Sequence, residues 1–279
     1  MKTLSYFPAT LLATLILLAV VSCQKQNDDE LIQDDGNDYV LAESVFNDVN
    51  NIIDQAMDFD WPTGLKGDLS GHRPNLAPCA VITRDTISIP PRIIIDFGPE
   101  NCLCNDGNYR RGRIIISFTG RFWQAGTVIT TTLEDYYVND NHVQGTKVVT
   151  NNGLNNAGNM YWTIIADGSV TRANNAGVVT WQSEREREWV EGMDTPRFHR
   201  DDVFLIRGSS VTTRPDGTTL TSTITTDLRK PIACRWIVSG TVEIVPSNRP
   251  TRILDYGDGA CDRIATITVG DRTRTIRLP

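Results

Sequence analysis

Cys79-Ala80-Val81-Ile82 opens a stretch that continues through the turn at Pro90-Pro91 to Ile95-Asp96-Phe97-Gly98 and Cys102. Apolar and β-branched residues flank a proline turn, which is typical of two strands of a β-hairpin. A cysteine stands at each end of the hairpin, so a disulfide can close it.

A second copy of this order occurs near the C-terminus. It runs from Cys234-Arg235-Trp236-Ile237 through a turn with Pro246 and Pro250 to Leu254-Asp255-Tyr256-Gly257 and Cys261. In both copies the last cysteine follows the aspartate by six residues. We interpret each copy as a disulfide-closed hairpin whose second strand ends at the Asp-aromatic-Gly step.

Five of the six cysteines lie in these two regions, 79–104 and 234–261. The shared register predicts the disulfides Cys79–Cys102 and Cys234–Cys261 and leaves Cys104 over. Cys79–Cys104 is the alternative pairing. A lone C-x-C without a second pair at ligand spacing does not indicate a zinc site, and no metal is predicted.

The chain between and after the two copies is a succession of short strand patterns. Their turns carry Asn, Asp, Gly and Pro, so neighbouring strands should be antiparallel. The predicted fold is mainly β: a long antiparallel meander, as a twisted sheet or an open sandwich, with one N-terminal amphipathic helix packed on it. The predicted strands are 80–88, 92–97, 112–119, 126–133, 142–150, 159–166, 177–190, 203–213, 218–226, 234–244, 251–255, 263–269 and 271–277.

The predicted helix spans 38–58, where Val45, Val49 and Ile52 recur at helical spacing. Its polar face is acidic, which favours packing on the sheet over binding to an anionic membrane surface.

The segment Thr180–Trp189 carries charge on both faces of the expected strand. Alternation places Glu184 and Glu186 on one face and Arg185 and Arg187 on the other. A strand charged on both faces is unexpected in a dry core, so this segment is predicted to project beyond the core or to form a guarded edge.

The N-terminus resembles a bacterial lipoprotein leader. An apolar run over Leu11–Val21 ends in Val20-Val21-Ser22-Cys23, which is similar to a lipobox, and the run is too short to span a bilayer. The resemblance implies cleavage after residue 22 and acylation of Cys23, and several acyl chains would hold the protein durably on a membrane. The predicted organisation is a signal peptide at 1–22, a lipidated cysteine and flexible acidic tether at 23–37, and a single β domain at 38–279.

The tether contains Lys25 followed by Asp28-Asp29-Glu30. This order resembles the surface-export signal of Bacteroidota lipoproteins, and a plain solvated tether is the alternative. The expected location is the outer membrane, on its periplasmic or cell-surface side. Without the leader the chain keeps 26 basic and 34 acidic residues, a net charge of −8. With no basic block, nucleic acid is not an expected partner.

Motifs of known catalytic chemistry are missing from the sequence. The three histidines, His72, His142 and His199, are far apart, and none forms a zinc-hydrolase motif. Nucleophile-elbow and phosphate-loop motifs are also absent, so no catalytic residue and no cofactor is predicted.

An acidic loop near the C-terminus contains Asp255, Asp258 and Asp262, which are weak calcium candidates. The simpler interpretation of Asp255, and of Asp96 in the first copy, is an Asx turn in which the carboxylate binds backbone N–H groups.

Six tryptophans could form a stacking platform for sugars, although core packing is the commoner role. They are Trp61, Trp123, Trp162, Trp181, Trp189 and Trp236.

With these residues in view, the chain resembles a family of uncharacterised Bacteroidota lipoproteins over nearly all of its mature length. The marks are Ile95–Gly98, Asn101–Gly107, Arg110–Ile114, Tyr137–Asp140 and Asp255–Asp262, with Gly145-Thr146 between the last two. The resemblance implies an envelope location and a fold, and it implies no catalytic residues.

The predicted function is a membrane-anchored, surface-exposed lipoprotein that binds or scaffolds without catalysis. Its expected partners are the membrane, through Cys23, and a glycan or an envelope protein. The alternative is a hydrolase acting on envelope or surface polysaccharide, since carboxylates are plentiful.

Overall fold

The computed structural model describes residues 40–46, 48–49, 52–53, 80–195 and 198–278. Residues 40–46, 48–49 and 52–53 are helical and are called α1 here. The predicted leader, lipidation site and tether lie outside the described residues. Within the described part of the chain, no helix is long and apolar enough to cross a membrane.

Fourteen strands follow α1 in the described residues. They are β1 Val81–Asp85, β2 Arg92–Asp96, β3 Cys102–Leu103, β4 Tyr109–Phe118, β5 Val128–Val138, β6 Asn141–Leu154, β7 Met160–Thr171, β8 Val178–Glu191, β9 Val203–Thr213, β10 Thr219–Pro231, β11 Ser239–Pro246, β12 Arg252–Asp258, β13 Ile264–Val269 and β14 Arg272–Arg277.

All fourteen strands belong to one open antiparallel sheet. Each strand pairs with its sequence neighbours, except that β2 pairs directly with β4 and the short β3 pairs only with β4. The predicted fold class is therefore confirmed: the described chain is mainly β, an antiparallel meander with one helix.

One face of the sheet is buried and carries α1. Phe46 of α1 stacks on Trp181 of β8, with the ring centroids 4.5 Å apart. A Cβ atom at Gly168 of β7 would overlap the Gln144 backbone oxygen of β6 and would lie 2.6 Å from the Phe46 ring, so only glycine fits between the neighbouring strand and the helix. Ala42 and Val49 belong to the same apolar cluster as strands β2 to β8, while Val40 contacts a second cluster on β10 to β14.

Strand β8 is central, which makes the expectation of an edge or projecting strand wrong. It pairs with β7 along one side and with β9 along the other. Its buried-face residue Arg185 donates to Glu43 of α1 at 3.1 Å and to Ser210 of β9 at 3.2 Å. A charge on the buried face is tolerated because the helix supplies an opposite charge.

The sheet is curved enough to bring distant strands together. Arg235, between β10 and β11, donates to the backbone oxygen of Asp106, between β3 and β4, at 3.2 Å. Five strands separate β4 from β10 in the sheet order. The two cysteine-containing regions therefore meet in space.

The Asp-aromatic-Gly step makes the same turn contact in both copies, but it ends only the strand β2, whereas β12 continues to Asp258. Asp96 accepts the Gly98 N–H at 2.8 Å, and Asp255 accepts the Gly257 N–H at 2.8 Å. Both glycines have positive φ, 82° and 95°, a conformation that glycine adopts without strain. The predicted Asx-turn role of both aspartates is confirmed.

Candidate functional site

Three sequence segments from strands β3, β4 and β5 converge at one end of the sheet. Asn101–Gly107 contains β3 and its turn, Arg110–Ile114 lies in β4, and Tyr137–Asp140 ends β5 and enters the β5–β6 turn. Because β3 and β5 both pair with β4, these segments are brought side by side. Alternation along β4 then sends Arg110 to the buried face and Arg111 to the outer face.

On the buried face, Arg110 binds two carboxylates. It donates to Asp106 at 2.7 and 2.9 Å and to Asp48 of α1 at 2.5 and 3.2 Å. We call Asp48, Asp106 and Arg110 the arginine clasp. Since Arg110 has no exposed surface, the clasp ties α1 to the β3–β4 turn from inside the fold.

Burial sets the protonation behaviour around the clasp. Burial raises the pKa of Asp48 more than Arg110 lowers it, so its net pKa is raised. Burial also opposes ionisation of Asp106, but hydrogen bonds from Arg110 and Asn108 outweigh it and lower the pKa. The pKa of the Cys104 thiol is raised, chiefly by burial. A buried thiol with a raised pKa is a poor nucleophile.

On the outer face, three side chains from adjacent strands form a stack. The Arg111 guanidinium lies 3.7 Å from the centre of the Tyr137 ring, and the Tyr137 and His142 ring centroids are 4.4 Å apart. The pairing of Arg111 with Tyr137 and of Tyr137 with His142 produces this order. We call Arg111, Tyr137 and His142 the outer stack.

Amide and carboxylate groups surround the outer stack. Arg111 donates to Asn101 at 2.7 Å and to Asp140 at 2.6 Å, and Asn101 also donates to Asp140 at 3.1 Å. Asn139 donates to Asn108 at 2.9 Å. Hydrogen bonds from Asn101 and Arg111 lower the pKa of Asp140.

Two apolar side chains border the same surface. Leu103 of β3 is 54% exposed and pairs with Tyr109 of β4, which is 46% exposed. The surface thus combines stacked rings, a guanidinium, amide groups and exposed apolar area. It can offer hydrogen-bonding groups and apolar area to a polar ligand.

The predicted cysteine sites are resolved in part. Cys234 and Cys261 form a disulfide, with Cα atoms 5.8 Å apart. Cys102 is disulfide-bonded, and Cys104 is the free cysteine of the described residues. The predicted partner Cys79 lies outside those residues.

The acidic loop does not assemble a cation site. Asp255 accepts a backbone N–H, as described above, and Asp262 accepts the Ile264 N–H at 2.9 Å. Asp258 pairs with Ser239 at the end of β12. No group of three His, Cys, Asp or Glu side chains that could hold a metal occurs in the described parts of the chain.

The tryptophans pack inside the described fold. Trp162, Trp181 and Trp189 are buried, and Trp123 and Trp236 are partly buried and pack against apolar clusters. The core-packing interpretation is confirmed for these five positions. Trp61 and His72 lie outside the described residues.

One arginine binds two carboxylates of β8 and one of β10. Arg207 of β9 binds Glu186 at 2.9 Å, Glu188 at 2.8 Å and Asp227 at 2.9 Å. Hydrogen bonds, first from Asn159, lower the pKa of Glu188. Glycoside hydrolysis needs a carboxylic acid whose pKa is raised, and the pKa of Glu188 is shifted in the opposite direction.

Comparison of the chain with protein-family models, with curated proteins and with solved structures finds no match. The proposed function below therefore rests on the geometry of the chain itself.

Proposed function

We propose that this chain is a lipid-anchored protein of the bacterial outer membrane that binds a glycan through the outer stack and does not catalyse a reaction. Acylation of Cys23 would hold it on the membrane, and the polar tether would join the anchor to the sheet.

The binding proposal rests on one observation. The β3–β4 turn, the start of β4 and the end of β5 converge around Arg111, Tyr137 and His142. Amide and carboxylate groups beside stacked rings suit a sugar, whose hydroxyl groups seek donors and acceptors and whose C–H faces contact rings. Tyrosine and arginine are also the residues that contribute most at binding surfaces.

The disulfide Cys234–Cys261 supports an extracytoplasmic location. Disulfides persist in the periplasm and on the cell surface, whereas cytoplasmic thiols are kept reduced. This agrees with the leader that the sequence predicts.

The location is tested by metabolic labelling with an alkyne fatty acid. We expect the wild-type protein to be labelled and the Cys23→Ser variant to be unlabelled. Equal labelling of the two proteins would refute the anchor.

The activity is tested with the detergent-solubilised protein on two panels. We expect binding to members of an array of bacterial surface and capsular glycans, and no turnover of glycoside, ester or peptide substrates. Hydrolysis that a single Asp or Glu substitution abolishes would establish the hydrolase alternative instead.

A further inference from the structure

The hairpin between β1 and β2 carries two isoleucines that contact almost nothing. Ile87 is 93% exposed and Ile89 is 98% exposed, the highest values among the large hydrophobic side chains of the described residues. Exposed apolar area of this kind is unfavourable in water and commonly marks a contact surface. We call the segment from Ile87 to Ile89 the apolar tip.

The apolar tip is held in place by Asp85. The carboxylate accepts the N–H groups of Ile87 and Ser88 at 3.1 and 3.0 Å and the Ser88 hydroxyl at 2.6 Å. Arg92, at the start of β2, donates to the same carboxylate at 2.9 Å. The turn is therefore built to present its isoleucines outward, which lowers the entropy cost of inserting them elsewhere.

Other connections at the same end of the sheet also expose apolar side chains. Because neighbouring strands alternate in direction, the β1–β2, β6–β7 and β8–β9 connections lie at one end. Leu154, at the end of β6, is 61% exposed, and Phe198, between β8 and β9, is 56% exposed. Beneath them Trp123 and Met193 pack in an aromatic cluster.

This end lies opposite the outer stack. Pro91 accepts the N–H of Phe118, the last residue of β4, so the apolar tip adjoins that end of the strand. Arg111 of the outer stack lies seven residues earlier in β4, a distance of about 24 Å at strand rise.

We propose that the apolar tip inserts into the interface of the membrane that carries the lipid anchor, so that the outer stack faces away from that membrane. This inference rests on the proposed acylation of Cys23. Only the sixteen residues from 24 to 39 separate the proposed anchor from Val40, the first described residue, so the sheet stays near the lipid.

A membrane fits the apolar tip better than a protein partner does. A specific protein interface covers about 800 Å² on each partner, far more than two isoleucine side chains offer. A lipid interface needs no shape complementarity, and an anchored protein has already lost its translational freedom. Small apolar contacts are then sufficient to set its orientation.

The test uses the full-length lipidated protein, reconstituted in vesicles of phosphatidylethanolamine and phosphatidylglycerol. An environment-sensitive fluorophore is attached at Ile89→Cys, and at Tyr109→Cys near the outer stack as an exposed control. Cys104 is buried, and the labelled wild type corrects for any reaction there. Flotation with the vesicles reports the anchor separately from the fluorophore.

We expect quenching by doxyl-labelled lipid at position 89 and quenching by aqueous iodide at position 109. With the fluorophore at Leu154→Cys, lipid quenching should fall several-fold when Ile87 and Ile89 are both replaced by Asp, and should persist when both are replaced by Leu. Both isoleucines lie on the surface, so the variants should fold.

Three results would overturn the inference. If the protein floats and iodide quenches the fluorophore at positions 89 and 109 equally, the protein keeps its anchor and the tip is not inserted. Protein that does not float lacks the anchor, and the inference fails with it. Shielding at position 89 that is already present before vesicles are added would indicate a protein contact, including one with a second copy.

Discussion

Replacing Arg110 by Met should strongly destabilise the protein, because the arginine clasp would lose its cation and keep two carboxylates. Arg110 is fully buried and binds both Asp48 and Asp106. Removing one member of a buried ion pair costs about 3–5 kcal/mol. For a domain of this size each kcal/mol lowers Tm by about 2–4 °C, so we expect a fall of roughly 6–20 °C.

The matched control is Arg113→Met on the same strand. Arg113 pairs with Asp96 at 2.9 Å and with Glu134 at 3.6 Å, but it is 53% exposed. Exposed pairs contribute little, so its urea midpoint should stay near that of the wild type. If Arg110→Met and Arg113→Met unfold at the same urea concentration, followed by tryptophan fluorescence, the clasp does not hold α1 to the sheet.

The two carboxylates of the clasp should respond differently to neutralisation. The pKa of Asp106 is lowered, so its contribution to stability is present above its unfolded pKa, near 4, and is lost as the pH falls through its folded pKa. The pKa of Asp48 is raised, so its contribution is present at low pH and is lost as the pH rises through its folded pKa. At pH 7 Asp106→Asn should therefore cost more than Asp48→Asn. The opposite ranking would contradict the assigned electrostatics.

Three further predictions concern the packing of the fold. Replacing Cys234 and Cys261 by Ser should lower the free energy of unfolding by about 3–4 kcal/mol, since the bridge closes a loop of 27 residues; an unchanged urea midpoint would contradict this. Cys104 should react with a thiol reagent only after denaturation, because it is buried and its pKa is raised; rapid reaction of the native protein would show an open site. Gly168→Ala should destabilise by about 1–3 kcal/mol, since the new Cβ would overlap the Gln144 backbone oxygen and the Phe46 ring; a variant as stable as the wild type would show that neither contact is that close.

The sequence predicts the strand order well, because turn residues and alternation are local signals. The thirteen predicted strands correspond in order to observed strands, and only β3, Cys102–Leu103, has no counterpart. Two residues are too few for a periodic pattern. The Cys234–Cys261 bridge followed from the repeated register of the two hairpins.

The outer stack could not be predicted from the sequence, because a β-bulge interrupts the alternating pattern of β5 before Tyr137. The predicted strand 126–133 stops before Asp135, whereas β5 continues to Val138. Asp135 has a positive φ of 44°, and the register shifts there, so alternation breaks after Leu133. Tyr137 lies beyond the break, where the sequence pattern indicates a strand end.

The position of strand β8 was missed for a different reason. Within the sequence of its own strand, Arg185 predicts a solvent-exposed face. In the structure its charge is compensated by Glu43 of α1, which lies 142 residues away in the sequence. The residue pattern of a single strand cannot predict an ion pair between residues so far apart in the sequence.

The binding of a glycan by the outer stack is tested most directly by titration with the strongest ligand from the array. The test variant is Arg111→Ala. The control is Arg207→Ala, which removes another arginine that forms ion pairs but is not part of the outer stack. We predict that Arg111→Ala weakens binding at least about tenfold, which corresponds to about 1.4 kcal/mol, while Arg207→Ala leaves the Kd unchanged. Equal Kd values for the wild type and Arg111→Ala would contradict the account.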